Sequence, residues 1–226
     1  MQLTYYGHAC FAVDIDGARL LFDPFISPNP LAAGIDVEAI AADYVLVSHG
    51  HGDHVADVAA ITKRTGATLL SNYEIVQWFA GQGVTKGHGM NFGGSVRLPF
   101  GRVKFVTAVH SSTLPDGTPG GNPGGFVVTG GGKTFYYAGD TALTYDMKLI
   151  AEACAVDVAV LPIGDTFTMD AADAARAAEF VGTKTVVGVH YDTFPPIAID
   201  HDAARAAFAA RGITLLLPAI GETVAL

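Results

Sequence analysis

The sequence predicts a layered α/β protein in which two packed β-sheets carry helices on their outer faces. Apolar runs of strand length stand in blocks with helical segments between them, which favours this arrangement. The second half of the chain repeats the scheme of the first. A length of 226 residues suits one sizeable core, so we expect a single domain over residues 1–226.

The first half opens with a predicted β-meander. Asp16-Gly17 stands between two apolar runs and is a strong hairpin signal. A Pro-rich loop runs from Pro24 to Pro30. The predicted strands cover residues 3–6, 10–15, 18–23, 44–48 and 67–71, and the predicted helices cover about 55–65 and 73–80.

The second half carries longer helical segments. Asp170 and Asp200 stand where helix N-caps are expected, and Gly130-Gly131-Gly132 predicts a hairpin turn because no helix follows it. The predicted strands cover residues 103–109, 125–129, 134–138, 157–163 and 184–189, and the predicted helices cover 146–153, 170–181 and 202–211.

The composition excludes several classes of protein. The chain is 50% hydrophobic and 15% charged, which excludes general disorder, and its net charge of −9 disfavours non-specific contact with nucleic acid or anionic lipid. We find no long apolar run and no signal-peptide pattern at Met1, so we expect no membrane contact and a cytoplasmic location. Cys10 and Cys154 form no C-x-x-C pair and suit buried thiols in a reducing compartment.

The densest signal is the stretch His49-Gly50-His51-Gly52-Asp53-His54. Imidazole and carboxylate are the ligand types that hold zinc and similar divalent ions. The two glycines are expected to let the backbone turn tightly, so that several side chains converge. The structural alternative is a polar loop whose histidines only cap the next helix, although a cap needs one short polar side chain.

Other ligand-type residues follow apolar runs in the same way. His110, Asp140 and His190 each come directly after a predicted strand, as His49 does. Sites in layered α/β proteins gather at the carboxyl ends of strands, where loops converge. Any one of these residues alone suits an ordinary hydrogen bond, but together they predict one metal site.

These motifs resemble the metallo-β-lactamase superfamily, and more narrowly its UPF0173 group of metal-dependent hydrolases. The histidine-rich loop carries the wider resemblance. The narrower one rests on six segments spread in order over nearly the whole chain: Tyr6-Gly7-His8-Ala9-Cys10-Phe11, Asp23-Pro24-Phe25, Gly124-Gly125-Phe126, Gly139-Asp140-Thr141, residues 162–169 and residues 190–195.

The resemblance implies an αββα sandwich and a site for two metal ions. It places His49, His51 and His110 on one ion. It places Asp53, His54 and His190 on the second, with Asp140 bridging both. Zinc is the first expectation for the metal, and manganese, iron or nickel also suit such ligands because selection depends on geometry and supply.

The implied chemistry is hydrolysis. A hydroxide bridging two ions about 3.5–4 Å apart would attack an ester, lactone, amide or thioester bond of a small molecule. Asp53 would orient or deprotonate the attacking water. His8 would donate a proton, contact substrate or support a ligand, unless it is a satisfied core histidine.

Several further residues keep two interpretations. Asp23 and Asp165 resemble carboxylates that orient ligand histidines, or they serve as turn and cap residues. Tyr191 lines the site or packs beside it. The irregular loop 111–125 shapes substrate access or is a mobile connection. His88 and His201 match no ligand position.

Three functions stand together at this stage. The first is a hydrolase acting on a small-molecule substrate. The second is a phosphodiesterase of the phospholipase D or nuclease kind, disfavoured as a nuclease by the acidic charge. The third is a metal-binding sensor without turnover, disfavoured by the full ligand set. We expect no flavin and no nucleic-acid partner, and homo-oligomer formation stays open.

Overall fold

The computed structural model describes residues 1–226 and contains two seven-stranded β-sheets. The first sheet contains β1 (Gln2–Gly7), β2 (Cys10–Ile15), β3 (Ala18–Phe22), β4 (Tyr44–Leu46), β5 (Thr68–Asn72), β6 (Gly87–Met90) and the last strand, β14 (Thr223–Ala225). The second contains β7 (Ser95–Leu98), β8 (Gly101–Thr107), β9 (Gly124–Gly130), β10 (Lys133–Tyr137), β11 (Val158–Pro162), β12 (Thr185–Val189) and β13 (Thr214–Leu216). Their spatial orders are β14-β1-β2-β3-β4-β5-β6 and β13-β12-β11-β10-β9-β8-β7.

Six helices cover the outer faces of the two sheets. The first sheet packs against α1 (Gly52–Val55), α2 (Val58–Thr65) and α3 (Tyr73–Gly81), and the second against α4 (Met147–Ala153), α5 (Ala171–Val181) and α6 (His201–Ala209). Three separate apolar cores result, one between the sheets and one under each helical layer. The predicted αββα sandwich is confirmed.

Alternation along the strands explains the layering. In β2, Phe11 and Val13 enter the central core while Cys10 and Ala12 enter the core under the helices. Successive side chains of a strand point to opposite faces, so a strand buried on both faces is apolar throughout. The rings of Phe11 and Phe22 stack 4.5 Å apart at the centre of the sandwich.

Strand direction decides where the site lies. Strands β1, β3, β4 and β5 run parallel to one another in the first sheet, as β8, β10, β11 and β12 do in the second. Two backbone hydrogen bonds join the sheets at the edge where these strands end: Gly124 N at the start of β9 to the Ser48 oxygen at 3.0 Å, and His190 N to the His8 oxygen at 2.8 Å. The loops that leave these strands therefore meet at one edge of the sandwich.

One predicted helix begins three residues later in the structure, and a separate short helix precedes it. The sequence predicts a single helix over about 55–65, whereas α1 ends at Val55 and α2 begins at Val58. Asp57 stands in the break and accepts hydrogen bonds from Ile26 N at 2.7 Å and Ser27 N at 2.9 Å. This carboxylate serves the Pro-rich loop instead of its own helix, which only the tertiary contact reveals.

Local turn and cap signals were predicted correctly. Asp16 and Gly17 both have positive φ, at 47° and 80°, as a tight hairpin turn requires. The side chains of Asp170 and Asp200 accept hydrogen bonds from the first turns of α5 and α6. Four short strands, β6, β7, β13 and β14, were not predicted because three or four residues carry too little apolar alternation.

None of the helices combines the length and the apolar character that crossing a membrane requires. Cys10 is buried, Cys154 is partly buried, and neither forms a disulfide. The prediction of unpaired cysteines agrees with the structure.

Candidate metal centre

All seven predicted metal ligands come together at the shared carboxyl edge of the two sheets. His49 follows β4, His110 follows β8, Asp140 follows β10 and His190 follows β12, each within three residues of the strand end. We call the set the histidine–aspartate cluster; it consists of His49, His51, Asp53, His54, His110, Asp140 and His190.

Three histidines form the first group of the cluster. Ligand-type atoms of His49, His51 and His110 all lie within 4.8 Å of one another. His49 Nε2 is 2.9 Å from His51 Nδ1, and His51 Nε2 is 3.2 Å from the hydroxyl of Ser111. Two imidazole nitrogens at such a separation share a proton or face a common cation.

The second group contains Asp53, His54 and His190, with His8 beside them. Ligand-type atoms of these four residues also lie within 4.8 Å of one another. The Oδ2 atom of Asp53 is 3.9 Å from Nε2 of His54 and 3.9 Å from Nε2 of His190. The two groups match the two ligand sets that the resemblance implies.

Asp140 lies between the groups. Its Oδ2 is 2.9 Å from Nε2 of His190 and 3.3 Å from Nε2 of His54, while Nε2 of His110 and of His49 lie 3.7 Å and 3.9 Å away. The carboxylate therefore reaches histidines of both groups, as a bridging ligand must. It is 3% exposed, so almost no water screens these contacts.

The glycines of the loop do not act as the sequence suggested. Neither Gly50 nor Gly52 has a positive φ. A Cβ on Gly52 would meet nothing within 4 Å, while a Cβ on Gly50 would lie 3.1 Å from Leu114. His51 occupies the N-cap position of α1, yet its side chain makes no capping hydrogen bond. The capping alternative is therefore wrong, and the helix start itself turns the ligands inward.

Asp23 supports the cluster from beneath. Its buried carboxylate accepts hydrogen bonds from His54 Nδ1 at 2.8 Å, from Ser48 N at 2.7 Å and Oγ at 2.5 Å, and from Tyr137 at 2.6 Å. The Ser48 hydroxyl also lies 2.9 Å from His49 Nδ1. Asp23 thus orients the ring of His54 directly and that of His49 through Ser48, which agrees with the first of its two predicted roles.

Burial and neighbouring charge act differently on the imidazoles. Burial lowers the pKa of His49, His51 and His110, which keeps their ring nitrogens available as ligands. Burial alone would also lower the pKa of His54, but the carboxylates of Asp140 and Asp23 outweigh it and hold that pKa well above its usual value. His54 therefore differs from the other three imidazoles, because two carboxylates favour its protonated ring.

His8 is held on both sides. Its Nε2 lies 3.0 Å from Asp53 Oδ2 and its Nδ1 lies 3.0 Å from the Thr193 hydroxyl. Burial lowers the pKa of His8 to about 4, so the ring is neutral near pH 7. Because a carboxylate only accepts, Nε2–H donates to Asp53, and Nδ1 accepts from Thr193. The backbone of His8 has φ 54°, so the residue occupies a strained turn.

A cavity of about 320 Å³ opens in front of the cluster. Its walls include three residues that the sequence analysis did not single out: Ser111, Phe167 and Phe194. Both phenylalanines belong to segments that carried the family resemblance, but nothing local distinguished them from core residues. Phe167 is 55% exposed, which is unusual for a phenylalanine in a closely packed chain.

The loop over 111–125 is attached to the body of the protein. The amide of Asn72 donates to the carbonyl oxygens of Gly120 and Asn122 at 2.6 and 3.0 Å. The Ser112 hydroxyl accepts from Gly50 N at 3.1 Å. With Ser111 lining the cavity, these contacts favour the interpretation that the loop shapes access to the site.

Asp165 and Tyr191, which each had two interpretations, have structural roles. Asp165 accepts a hydrogen bond from the next residue's backbone, Thr166 N, at 2.7 Å and so belongs to its own turn. Tyr191 is buried, stacks on Tyr5 at 6.4 Å and does not line the cavity. Of the two histidines left out of the ligand set, His201 pairs with Asp192 at 2.6 Å. The other, His88, is exposed on β6.

Comparison with known proteins identifies the family of the chain. The family model described as the beta-lactamase superfamily domain matches residues 18–191. A protein named UPF0173 metal-dependent hydrolase in Flavobacterium johnsoniae is 50% identical over all of both chains. Another of the same name in Methylacidiphilum infernorum is 48% identical over all of both chains.

A solved structure extends the comparison. The metallo hydrolase Igni18 of Ignicoccus hospitalis is 36% identical and has a TM-score of 0.88. The alignment covers 99% of this chain and 97% of that one. The family model covers most of the chain, and a relative of the same length is 50% identical. The chain therefore belongs to the beta-lactamase superfamily and, within it, to the UPF0173 metal-dependent hydrolases.

Proposed function

We propose that the protein hydrolyses an ester, lactone, amide or thioester bond of a small molecule, using two divalent metal ions held by the histidine–aspartate cluster. The observation that carries the proposal is the position of Asp140, whose Oδ2 lies 2.9 to 3.9 Å from four imidazole nitrogens. A single carboxylate oxygen among four histidines suits a ligand that two cations share.

Unpaired polar atoms support the fit of a metal. His54 Nε2 and Asp140 Oδ1 are both buried and have no hydrogen-bond partner. Buried polar atoms are normally paired, and these two belong to residues whose Nε2 and Oδ2 atoms lie 3.3 Å apart. A divalent cation answers both, because it accepts electron pairs from imidazole and carboxylate alike.

Zinc is our first expectation for a set of five histidines and two aspartates, and manganese, iron or nickel also suit it. When bound, such ions stabilise charge on a polarised carbonyl oxygen and lower the pKa of water toward neutrality. We assign His49, His51 and His110 to one ion, Asp53, His54 and His190 to the other, and Asp140 to both.

Asp53 is the residue of the cluster best placed to orient water. It lines the cavity, and its side chain is 30% exposed. Burial alone would raise the pKa of Asp53, but the hydrogen bond from His8 and the nearby His54 hold it below its usual value. A carboxylate with a low pKa is a weak base, so we assign it to orienting water instead of removing its proton.

His8 acts through Asp53 in this proposal. It is 1% exposed and does not line the cavity, so a substrate does not reach it. Its donated hydrogen bond fixes one oxygen of Asp53. We therefore propose His8 as a positioning residue, in preference to a proton donor.

We further propose a small molecule, and not a nucleic acid, as the substrate. A cavity of about 320 Å³ is of the size that holds small ligands. The net charge of −9 opposes the approach of a polyanion. Curated relatives named as hydrolases also argue against a sensor without turnover.

The first test is metal content. We expect protein purified without chelators to hold about two equivalents of metal per chain by elemental analysis, and His51→Ala to hold about one. His88→Ala is the matched control, because His88 is exposed and lies outside the cluster. Absence of metal in the parent, even after reconstitution with zinc, manganese and iron, would refute the proposal.

The second test is turnover by the metal-loaded protein. We expect hydrolysis of at least one of a panel of esters, thioesters, lactones and amides, and loss of it in His51→Ala. A panel of phosphodiesters, measured in parallel, decides between this proposal and the phosphodiesterase alternative. Turnover of phosphodiesters alone would replace the proposal.

A further inference from the structure

Two aromatic side chains line the cavity in front of the histidine–aspartate cluster. Phe167 and Phe194 are its two apolar side chains, and no lysine or arginine lines it. The cavity is therefore lined both by the polar groups where the metal ions are proposed to bind and by apolar aromatic surface. A substrate that spans it meets both.

The two phenylalanines are attached differently. The ring of Phe194 packs 5.5 Å from that of His8 and 6.3 Å from that of Phe25, so it is fixed against the body of the site. Phe167 is 55% exposed, and its ring makes no such contact with another aromatic ring. The ring of Phe194 is thus held by its neighbours, whereas the ring of Phe167 is largely exposed.

The turn that presents Phe167 is strained and anchored. Asp165 and Thr166, the two preceding residues, have φ values of 60° and 54°. A β-branched residue such as Thr166 rarely adopts this conformation, which persists only where the surroundings impose it. The Thr166 hydroxyl donates to the oxygen of Pro196 at 2.8 Å and so ties the Phe167 turn to the segment that carries Phe194.

Lysine and arginine are absent from the loops around the site. The segments 20–62, 105–132, 134–147, 149–175 and 185–204 supply all the residues of the cluster and both phenylalanines, and none of these segments contains a lysine or arginine. An anionic group at the apolar end of a substrate would find no lysine or arginine there. Burying an unpaired charge is costly, so such substrates are disfavoured.

We propose that Phe167 and Phe194 form an aromatic clamp for the apolar substituent of an uncharged substrate. This inference rests on the proposed function for the position of the scissile bond, which faces the metal ions. It adds the chemistry of the remainder of the substrate: flat or branched, apolar, and without a carboxylate or phosphate of its own.

Three hydroxamates that share one metal-binding group test the clamp on the metal-loaded protein. Acetohydroxamate has a methyl tail, phenylacetohydroxamate a benzyl tail and the monohydroxamate of succinate a carboxylate tail. By calorimetry we expect the benzyl probe to bind about tenfold more tightly than the methyl probe, because its ring buries apolar surface against the phenylalanines that line the cavity. The carboxylate tail should give no gain.

Substitutions of Phe167 test whether this residue causes the preference for the benzyl probe. Phe167→Ala should reduce the advantage of the benzyl probe over the methyl probe from about tenfold to about threefold or less. Phe167→Leu should retain more of it. Leu149→Ala is the matched control, since Leu149 is 61% exposed on α4 and does not line the cavity. Equal binding of all tails, preference for the carboxylate, or no effect of Phe167→Ala would overturn the clamp.

The clamp and the proposed function fail separately. If the tails discriminate as expected but no ester, lactone, amide or thioester is turned over, the clamp stands and the function fails. If the protein takes up no metal, saturation-transfer NMR with phenylacetamide against acetamide measures the clamp alone on the same variants. Absence of a Phe167-dependent signal for the aromatic amide would then overturn it.

Discussion

The carboxylate of Asp23 lies 2.8 Å from Nδ1 of His54, although 31 residues separate the two in sequence. Asp23 follows β3 and His54 follows β4, and these neighbouring strands run parallel, so their loops emerge side by side. The contact fixes the ring of His54 so that its Nε2 faces Asp140.

Replacing Asp23 should weaken metal binding and folding together. We expect Asp23→Asn to reduce metal affinity by about 10- to 100-fold, because His54 loses the partner that orients it. Loss of a buried charged acceptor should also lower the free energy of unfolding by about 3 kcal/mol. Chelator competition and urea denaturation measure the two effects.

Asp14→Asn is the control for this substitution. Asp14 pairs with Arg19 at 2.6 Å, but both side chains are more than one-third exposed. Such pairs contribute about 0–1 kcal/mol, so its stability and metal affinity should stay near those of the parent. Parent-like metal affinity in Asp23→Asn would contradict the role given to Asp23.

Replacing His8 should act on one metal site only. Asparagine tolerates the left-handed backbone at this position, so His8→Asn should fold. Without the hydrogen bond to Asp53, we expect the second equivalent of metal to bind about tenfold more weakly, while the first is unchanged. A metal titration resolves the two steps, and equal weakening of both would show that His8 acts on the fold as a whole.

The free energy of unfolding of the metal-free protein should decrease at acidic pH, because His8 is buried in its neutral form. Burial lowers the pKa of His8 to about 4 from 6.5, so between these values the unfolded chain binds a proton that the folded chain does not. This contribution to stability is complete above pH 6.5 and is lost as the pH falls toward 4. Its size is about 3 kcal/mol at most.

Urea titrations in the presence of a chelator, from pH 7.5 to 4.5, test this dependence. The slope of unfolding free energy against pH should be shallower in His8→Asn than in the parent. His88→Asn, at an exposed histidine, should keep the parent's slope. An unchanged slope in His8→Asn would assign the acid sensitivity to other groups.

Two glycines beside the cluster should respond oppositely to alanine. A Cβ on Gly164 would lie 2.1 Å from the backbone oxygen of His190, so Gly164→Ala must displace this ligand. We expect a loss of about 1–3 kcal/mol in unfolding free energy and weaker metal binding.

Gly52→Ala is the matched substitution within the ligand loop. A Cβ there meets nothing within 4 Å, and the residue begins α1. We expect stability to be unchanged or to rise by up to about 1 kcal/mol, because alanine favours helix. Thermal unfolding of both variants provides the comparison, and a larger loss in Gly52→Ala would contradict the structural assignment.

Much of the site could be predicted because its signals are local. Three histidines and an aspartate within six residues are a metal pattern whatever the rest of the chain does. The positions of His110, Asp140 and His190 after apolar runs needed only the rule that loops converge at strand ends. Hairpin turns and helix caps likewise depend on a few neighbouring residues.

Contacts between distant segments were outside the reach of sequence patterns. The break at Asp57 depends on amides of Ile26 and Ser27, and no periodicity in the helix announces it. The direction of His8 toward Asp53 depends on the pairing of β1 with β2 and on the hydrogen bond to Thr193.

The sequence by itself determined the layered fold, the seven ligand-type residues and the family. These follow from apolar periodicity and from short motifs, which act over a few residues. The tertiary structure decided that Asp23 orients His54, that Asp165 and Tyr191 do not reach the cluster, and that Phe167 and Phe194 face it. Those outcomes depend on which loops the parallel strands bring to one edge of the sandwich. This depends on the order of the strands in the assembled sheets, which short sequence patterns do not specify.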